Sequence, residues 1–145
     1  MQDKIVEFKW RIRYKKVKVP RKEFVSYDNC FWCGNVCDSN HLFYNCDVIK
    51  VEIVDWRNKL RISDADWNRD KVESLQENVV AKEIVMTHVK WGIWKSYASK
   101  CYGDEEVLIK AAVDNSVKLA CLYLVRKEEF VVLMNIKKLF ATGIG

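Results

Sequence analysis

The sequence predicts a mainly α-helical fold in which a small cysteine–histidine knuckle separates an N-terminal basic element from long C-terminal helices. Three observations predict it. Glycine occurs five times and proline once, too rarely for a loop-rich sandwich. Apolar residues in the second half recur every three or four positions. Cys30, Cys33, Cys37 and Cys46 crowd into one short segment together with His41. At 145 residues, half of them hydrophobic, the chain is long enough to bury a core of its own.

Residues 3–25 form the basic and aromatic element. Val6, Phe8, Trp10, Ile12 and Tyr14 alternate with Glu7, Lys9, Arg11 and Arg13, and that period of two favours a strand. A helix would instead gather Ile5, Phe8 and Ile12 on one face. Pro20 ends either element. Residues 28–47 hold the knuckle, with Gly34, Asn35, Asp38, Ser39 and Asn40 supplying turns. A helix-compatible run starts at His41. Residues 47–61 place Val48, Val51, Ile53, Trp56 and Leu60 at mostly helical spacings. Ser63 to Asp66 is polar and reads as a break, with Asp64 or Asp66 able to cap a following turn. Residues 77–101 read as a helix with Val80, Ile84, His88, Trp91, Trp94 and Ala98 on one stripe. Gly103 stops it, and Asp104 caps the next helix, where Glu105 and Glu106 suit the positive end. Leu108, Ala111, Ala112, Leu119 and Leu122 stripe that helix to about residue 125. Phe130, Leu133, Ile136, Leu139 and Phe140 continue the pattern over 128–141. The polar stretch in 61–77 divides the chain into residues 1–62, carrying the basic element and knuckle, and a helical region 63–145, or else lies within one continuous domain.

Charge is unevenly placed. Residues 1–26 hold nine Lys or Arg against three Asp or Glu, whereas the rest of the chain holds sixteen against seventeen. The excess positive charge therefore lies ahead of the first cysteine. Such a segment attracts phosphate backbones through counterion release without reading sequence. Arg11, Arg13, Lys15, Lys16, Lys18, Arg21 and Lys22 are the candidate phosphate contacts. The plainer reading is a solvated face.

No secretory signal precedes the cysteines, and no uncharged apolar run approaches the ~18 residues that span a bilayer. The sequence is expected to belong to a reducing, intracellular compartment, nuclear or nucleocytoplasmic, with no membrane partner. Clustered cysteines there point to metal rather than disulfides. Zinc takes four thiolate or imidazole ligands in a tetrahedron. Cys30 and Cys33, two residues apart, offer two sulfurs from one turn, and Gly34 suits that turn. His41 and Cys46 complete a Cys-x2-Cys-x7-His-x4-Cys set for Zn2+, and Cys37 is spare or replaces His41. Trp32-Cys33-Gly34 also suggests a redox thiol, but Cys37 lies four positions after Cys33 with no proline between.

The segment NCFWCGNVCDSNHLFYNC resembles the zinc-binding segment that follows the polymerase in LINE-type (non-long-terminal-repeat) retrotransposon reverse transcriptases. The shared elements are Cys-x-Trp-Cys-Gly, the acidic Asp38, and His-Leu-Phe-aromatic-x-Cys ending at Cys46. The aromatic-basic run Phe8–Tyr14 with Pro20, and Trp91-Gly92-Ile93-Trp94-Lys95, are similar to flanking parts of that family. The resemblance covers about residues 5–100, and 28–46 is its specific part. It implies Cys30, Cys33, His41 and Cys46 as ligands, a helix over 5–18, and a role in holding template RNA or target DNA near a reverse transcriptase. Two positions depart from it: Cys37 stands where another residue is usual, and Ile53 where a tryptophan is common, with Trp56 three later.

No paired-aspartate motif for a two-metal site, no phosphate loop and no Ser-His-Asp arrangement is visible, so a binding role is expected rather than catalysis. The resemblance then makes the chain a C-terminal remnant or separately encoded tail of such an element. His88 reads as a core histidine. Trp10, Tyr14, Trp91 and Trp94 could stack on bases, although their spacing favours core packing. The rival function is a zinc-stapled protein-interaction module presenting Leu108, Leu119, Leu122 or Phe130.

Overall fold

The computed structural model describes residues 3–13, 29–35, 41–73, 78–102 and 108–126. The expectations for Tyr14, Lys15, Lys16, Lys18, Pro20, Arg21, Lys22, Cys37, Asp38, Gly103 to Glu106 and 128–141 lie outside the described residues. Within them the chain is mainly helical and contains no strand. The elements are α1 (Asp3–Arg13), a π-turn (His41–Asn45), α2 (Lys50–Leu60), α3 (Asp64–Arg69), α4 (Val79–Tyr102) and α5 (Ile109–Arg126).

α1 settles the choice between strand and helix. Ile5, Phe8 and Ile12 are buried, whereas Val6 and Trp10, which the alternating pattern would have put with them, are 37% and 54% exposed. An isolated helix of this length is marginal in water. Burying three large apolar side chains contributes about 1.5–3 kcal/mol each, which outweighs local propensity. Phe8 meets Trp91 edge to face at 4.9 Å and Phe43 at 5.9 Å, so α1 is held to α4 and to the π-turn together. Lys9 and Arg13 both reach Glu83 on α4, at 3.4 and 3.8 Å.

The polar stretch after α2 is not a simple break. α2 ends at Arg61, whose backbone takes the left-handed conformation at φ 55°. α3 follows at once. Its cap is Ser63 rather than Asp64 or Asp66: the Ser63 hydroxyl accepts the Asp66 N–H at 3.1 Å, and the two aspartates occupy the first turn. α3 closes at Asp70, again left-handed at φ 54°.

α4 is the axis of the molecule. From Ile84 to Ile93 every residue is buried, because α1, the π-turn, α2 and α5 all pack on it. A helix apolar on all sides belongs in an interior. Val80, placed on the predicted stripe, is 61% exposed. α5 crosses α4 at Gly92, where a Cβ would lie 2.7 Å from Val113 Cα. Buried residues from α1, the knuckle and α2 to α5 form one hydrophobic cluster.

Candidate metal centre

The knuckle is built by two short backbone devices. Cys30 to Asn35 close on themselves: Gly34 N–H donates to Cys30 O at 2.8 Å, and Cys30 N–H to Asn35 O at 2.7 Å. Gly34 sits at φ +82°, a conformation natural to glycine, as the sequence implies. Both Cys30 and Cys33 thereby face the same side of a tight turn. The second device is the π-turn, closed by Cys46 N–H on His41 O at 2.8 Å. A five-residue closure puts His41 and Cys46 at its two ends. An α-helix would rotate positions five apart away from each other, so the wider turn is what brings both ligands to one point.

The four ligand atoms, Sγ of Cys30, Cys33 and Cys46 and a ring nitrogen of His41, lie within 4.8 Å of one another. Cys30 Sγ is 3.9 Å from Cys46 Sγ, and Cys33 Sγ is 3.2 Å from His41 Nε2. In a tetrahedral zinc site, ~2.3 Å Zn–S and ~2.0 Å Zn–N bonds put sulfurs about 3.8 Å apart and sulfur and nitrogen about 3.5 Å apart. The donor set suits a tetrahedral ion, these two pairs lie close to those separations, and the cluster as a whole spans up to 4.8 Å. Cys30 and Cys46 are buried and His41 is 9% exposed, while Cys33 is half-buried and leaves that side of the site open to solvent. The Trp32 N–H approaches Cys30 Sγ at 3.4 Å, a donor placed to stabilise a thiolate.

The protonation state of the thiols differs within the cluster. Burial pushes the Cys46 thiol up to about 12, with neighbouring Cys30 adding to the rise. Burial acts the same way on Cys33, but hydrogen bonds from the Asn35 backbone and from Cys30 and Cys46 bring it below its ordinary value. A cation is the group that would favour all three thiolates at once. With four protein ligands it would keep no open position for water or substrate, which is the pattern of a structural rather than a catalytic site.

The residues that dock the knuckle on the helices were not visible in the sequence. Tyr97 on α4 accepts the Phe31 N–H at 3.2 Å and meets Trp32 edge to face at 5.0 Å. Trp67 Nε1 donates to Phe43 O at 3.2 Å. Lys90 lies over the Tyr44 ring at 5.0 Å. One signal was available for Tyr97: Trp91, Trp94 and Tyr97 continue an aromatic repeat at three-residue spacing.

Of the candidate phosphate contacts, Arg11 and Arg13 are described. Arg11 is exposed and pairs with Glu7 one turn earlier. Arg13 turns inward to Glu83 and donates to Asp70 O at 3.3 Å, so its guanidinium is engaged within the fold. His88 is buried and bonds Ile84 O at 2.7 Å, as a core histidine does. Burial lowers its pKa despite that contact. Trp91 is buried, Trp94 half-buried and Trp10 exposed. No described helix is long and apolar enough to cross a membrane. No family model, curated protein or solved structure matches the chain.

Proposed function

We propose that the chain is a zinc-stapled helical module that holds nucleic acid, working beside the polymerase of a LINE-type reverse transcriptase and therefore in the nucleus or between nucleus and cytoplasm. The observation that carries the zinc is the convergence of four ligand atoms within 4.8 Å. The nucleic-acid reading is supported by the basic residues ahead of Cys30 other than Lys9 and Arg13, which turn to Glu83, and by the resemblance over residues 28–46. In this account the ion does not act on a substrate. It fixes the knuckle, and through Phe43 and Phe8 the knuckle fixes α1, from which the basic segment continues.

Affinity for a single-stranded oligonucleotide, measured across salt concentrations, tests it. Each phosphate contact adds about 0.7–0.9 to the slope of log affinity on log salt. Binding that weakens steeply with salt, and is lost when zinc is chelated, is the expected result. A second reading has an observation in its favour. On and just before α5, Leu108 is 71%, Leu122 57% and Leu119 38% exposed, as a protein-interaction face would have them. Absence of oligonucleotide binding, with salt-insensitive capture of a protein, would select that reading.

A further inference from the structure

Beside the Gly92 crossing, α4 and α5 leave a groove of about 470 Å3. Its size falls among clefts that hold small ligands, about 300–1,000 Å3. The space exists because Ser99, Ala112 and Ser116 are small. The remaining chemistry is mixed. Trp94 supplies an aromatic wall and is braced by parallel stacking on Trp91, 5.3 Å between centroids at 9°. Asn115 supplies an amide with both a donor and an acceptor. Lys95 stands at the groove as an exposed cation. Its Nζ lies 5.5 Å from the Trp91 ring, next to the stacked pair.

A flat aromatic group with an attached anion satisfies all of these at once. We propose that this groove takes one unstacked nucleotide of a bound single strand, its base against Trp94, its edge read by Asn115 and its phosphate beside Lys95. Stacking on a braced indole tolerates any base, while the amide adds a modest preference. This site rests on the nucleic-acid reading above and extends it from the basic segment to the α4–α5 groove.

The test uses the full zinc-loaded chain and a fluorescein-labelled deoxythymidine 10-mer, followed by anisotropy. Ser99→Leu fills the groove from a partly exposed helical position, and its affinity is expected to fall about tenfold, the scale of one lost stacking contact. Lys95→Gln is expected to bind several-fold more weakly and to shed about one phosphate contact from the salt slope. Both should keep the parent's zinc content and helical circular dichroism. As a readout that needs no variant, irradiating the parent with a 5-iodo-deoxyuridine 10-mer should give an adduct on the Trp94 peptide. Parent-like binding by both variants, or adducts confined to other peptides, overturns the groove while leaving the basic segment as the binding element. A parent chain that binds no oligonucleotide overturns both proposals together.

Discussion

Lys90 puts an ammonium group where water does not reach. Its side chain and that of Asp70 are 0% and 1% exposed, 3.0 Å apart, and Lys90 also donates to Trp67 O at 2.6 Å. The rings of Tyr44 and Trp67 lie 5.0 and 4.9 Å from Nζ. Such a pair costs more desolvation than its attraction returns, yet removing one partner alone is worse. Lys90→Met is therefore expected to lose about 3–5 kcal/mol in urea unfolding, and adding Asp70→Asn to recover most of that loss. Asparagine suits the second site because Asp70 is left-handed, a conformation it tolerates. Simple additivity of the two losses would rule out this coupling. Burial pulls Lys90 down to about 8 from 10.5, against the pull of Asp70, and pushes Asp70 up, against Lys90. Between about pH 8 and 10.5 the unfolded chain thus holds a proton that the folded chain has released. The parent should gain stability relative to the double variant as pH rises through that window. A flat difference would mean that Lys90 keeps its proton. None of this was legible beforehand: Lys90 sits one residue before Trp91 and off the apolar stripe read for this helix, and only the packing of four elements around α4 buries it.

Two elements show where patterns suffice and where they mislead. In α1 the alternation of Val6, Phe8, Trp10 and Ile12 pointed to a strand, and the resemblance pointed to a helix. The helix prevails because Ile5, Phe8 and Ile12 are buried on one side, where Phe8 meets Trp91 and Phe43, a tertiary fact that no local pattern contains. In α4 the reading recovered the extent of the helix but not its faces. Val85, Met86, Val89 and Ile93, all outside the predicted stripe, are fully buried. The run from His41 read as helix-compatible, and the structure makes it the wider π-turn His41–Asn45. The Gly92 crossing supplies a sharp check on helix packing. Gly92→Ala would gain about 1 kcal/mol of helix propensity, but its Cβ meets Val113 Cα at 2.7 Å and Ala112 O at 2.9 Å, backbone that cannot swing aside. Separating α4 from α5 should dominate, for a net loss of about 1–3 kcal/mol. Thermal unfolding at matched zinc content measures it. An unchanged or raised midpoint would show that the helices do not pack this closely.

At the scale of the whole molecule, the knuckle and the helices are one structure. Tyr97, Trp67 and Lys90 join the knuckle to α3 and α4 by hydrogen bonds and ring contacts. Occupancy of the cluster should therefore be felt throughout the core, and chelation should lower the stability of α4 and α5 as well as that of the cysteine segment. Residue type and spacing nominated Cys30, Cys33, His41 and Cys46 but left Cys37 as an alternative to His41, and the fold brings the first four together. The docking residues were not, because nothing in a tyrosine or a lysine announces a metal site one helix away. The account depends on four side chains holding one zinc ion. Metal analysis of the purified chain, with Cys33→Ser and Cys37→Ser alongside, tests that dependence most directly. One equivalent of zinc in the parent and in Cys37→Ser, with loss in Cys33→Ser, is the predicted result. A parent without zinc, or a Cys33→Ser chain that retains a full equivalent, would contradict it.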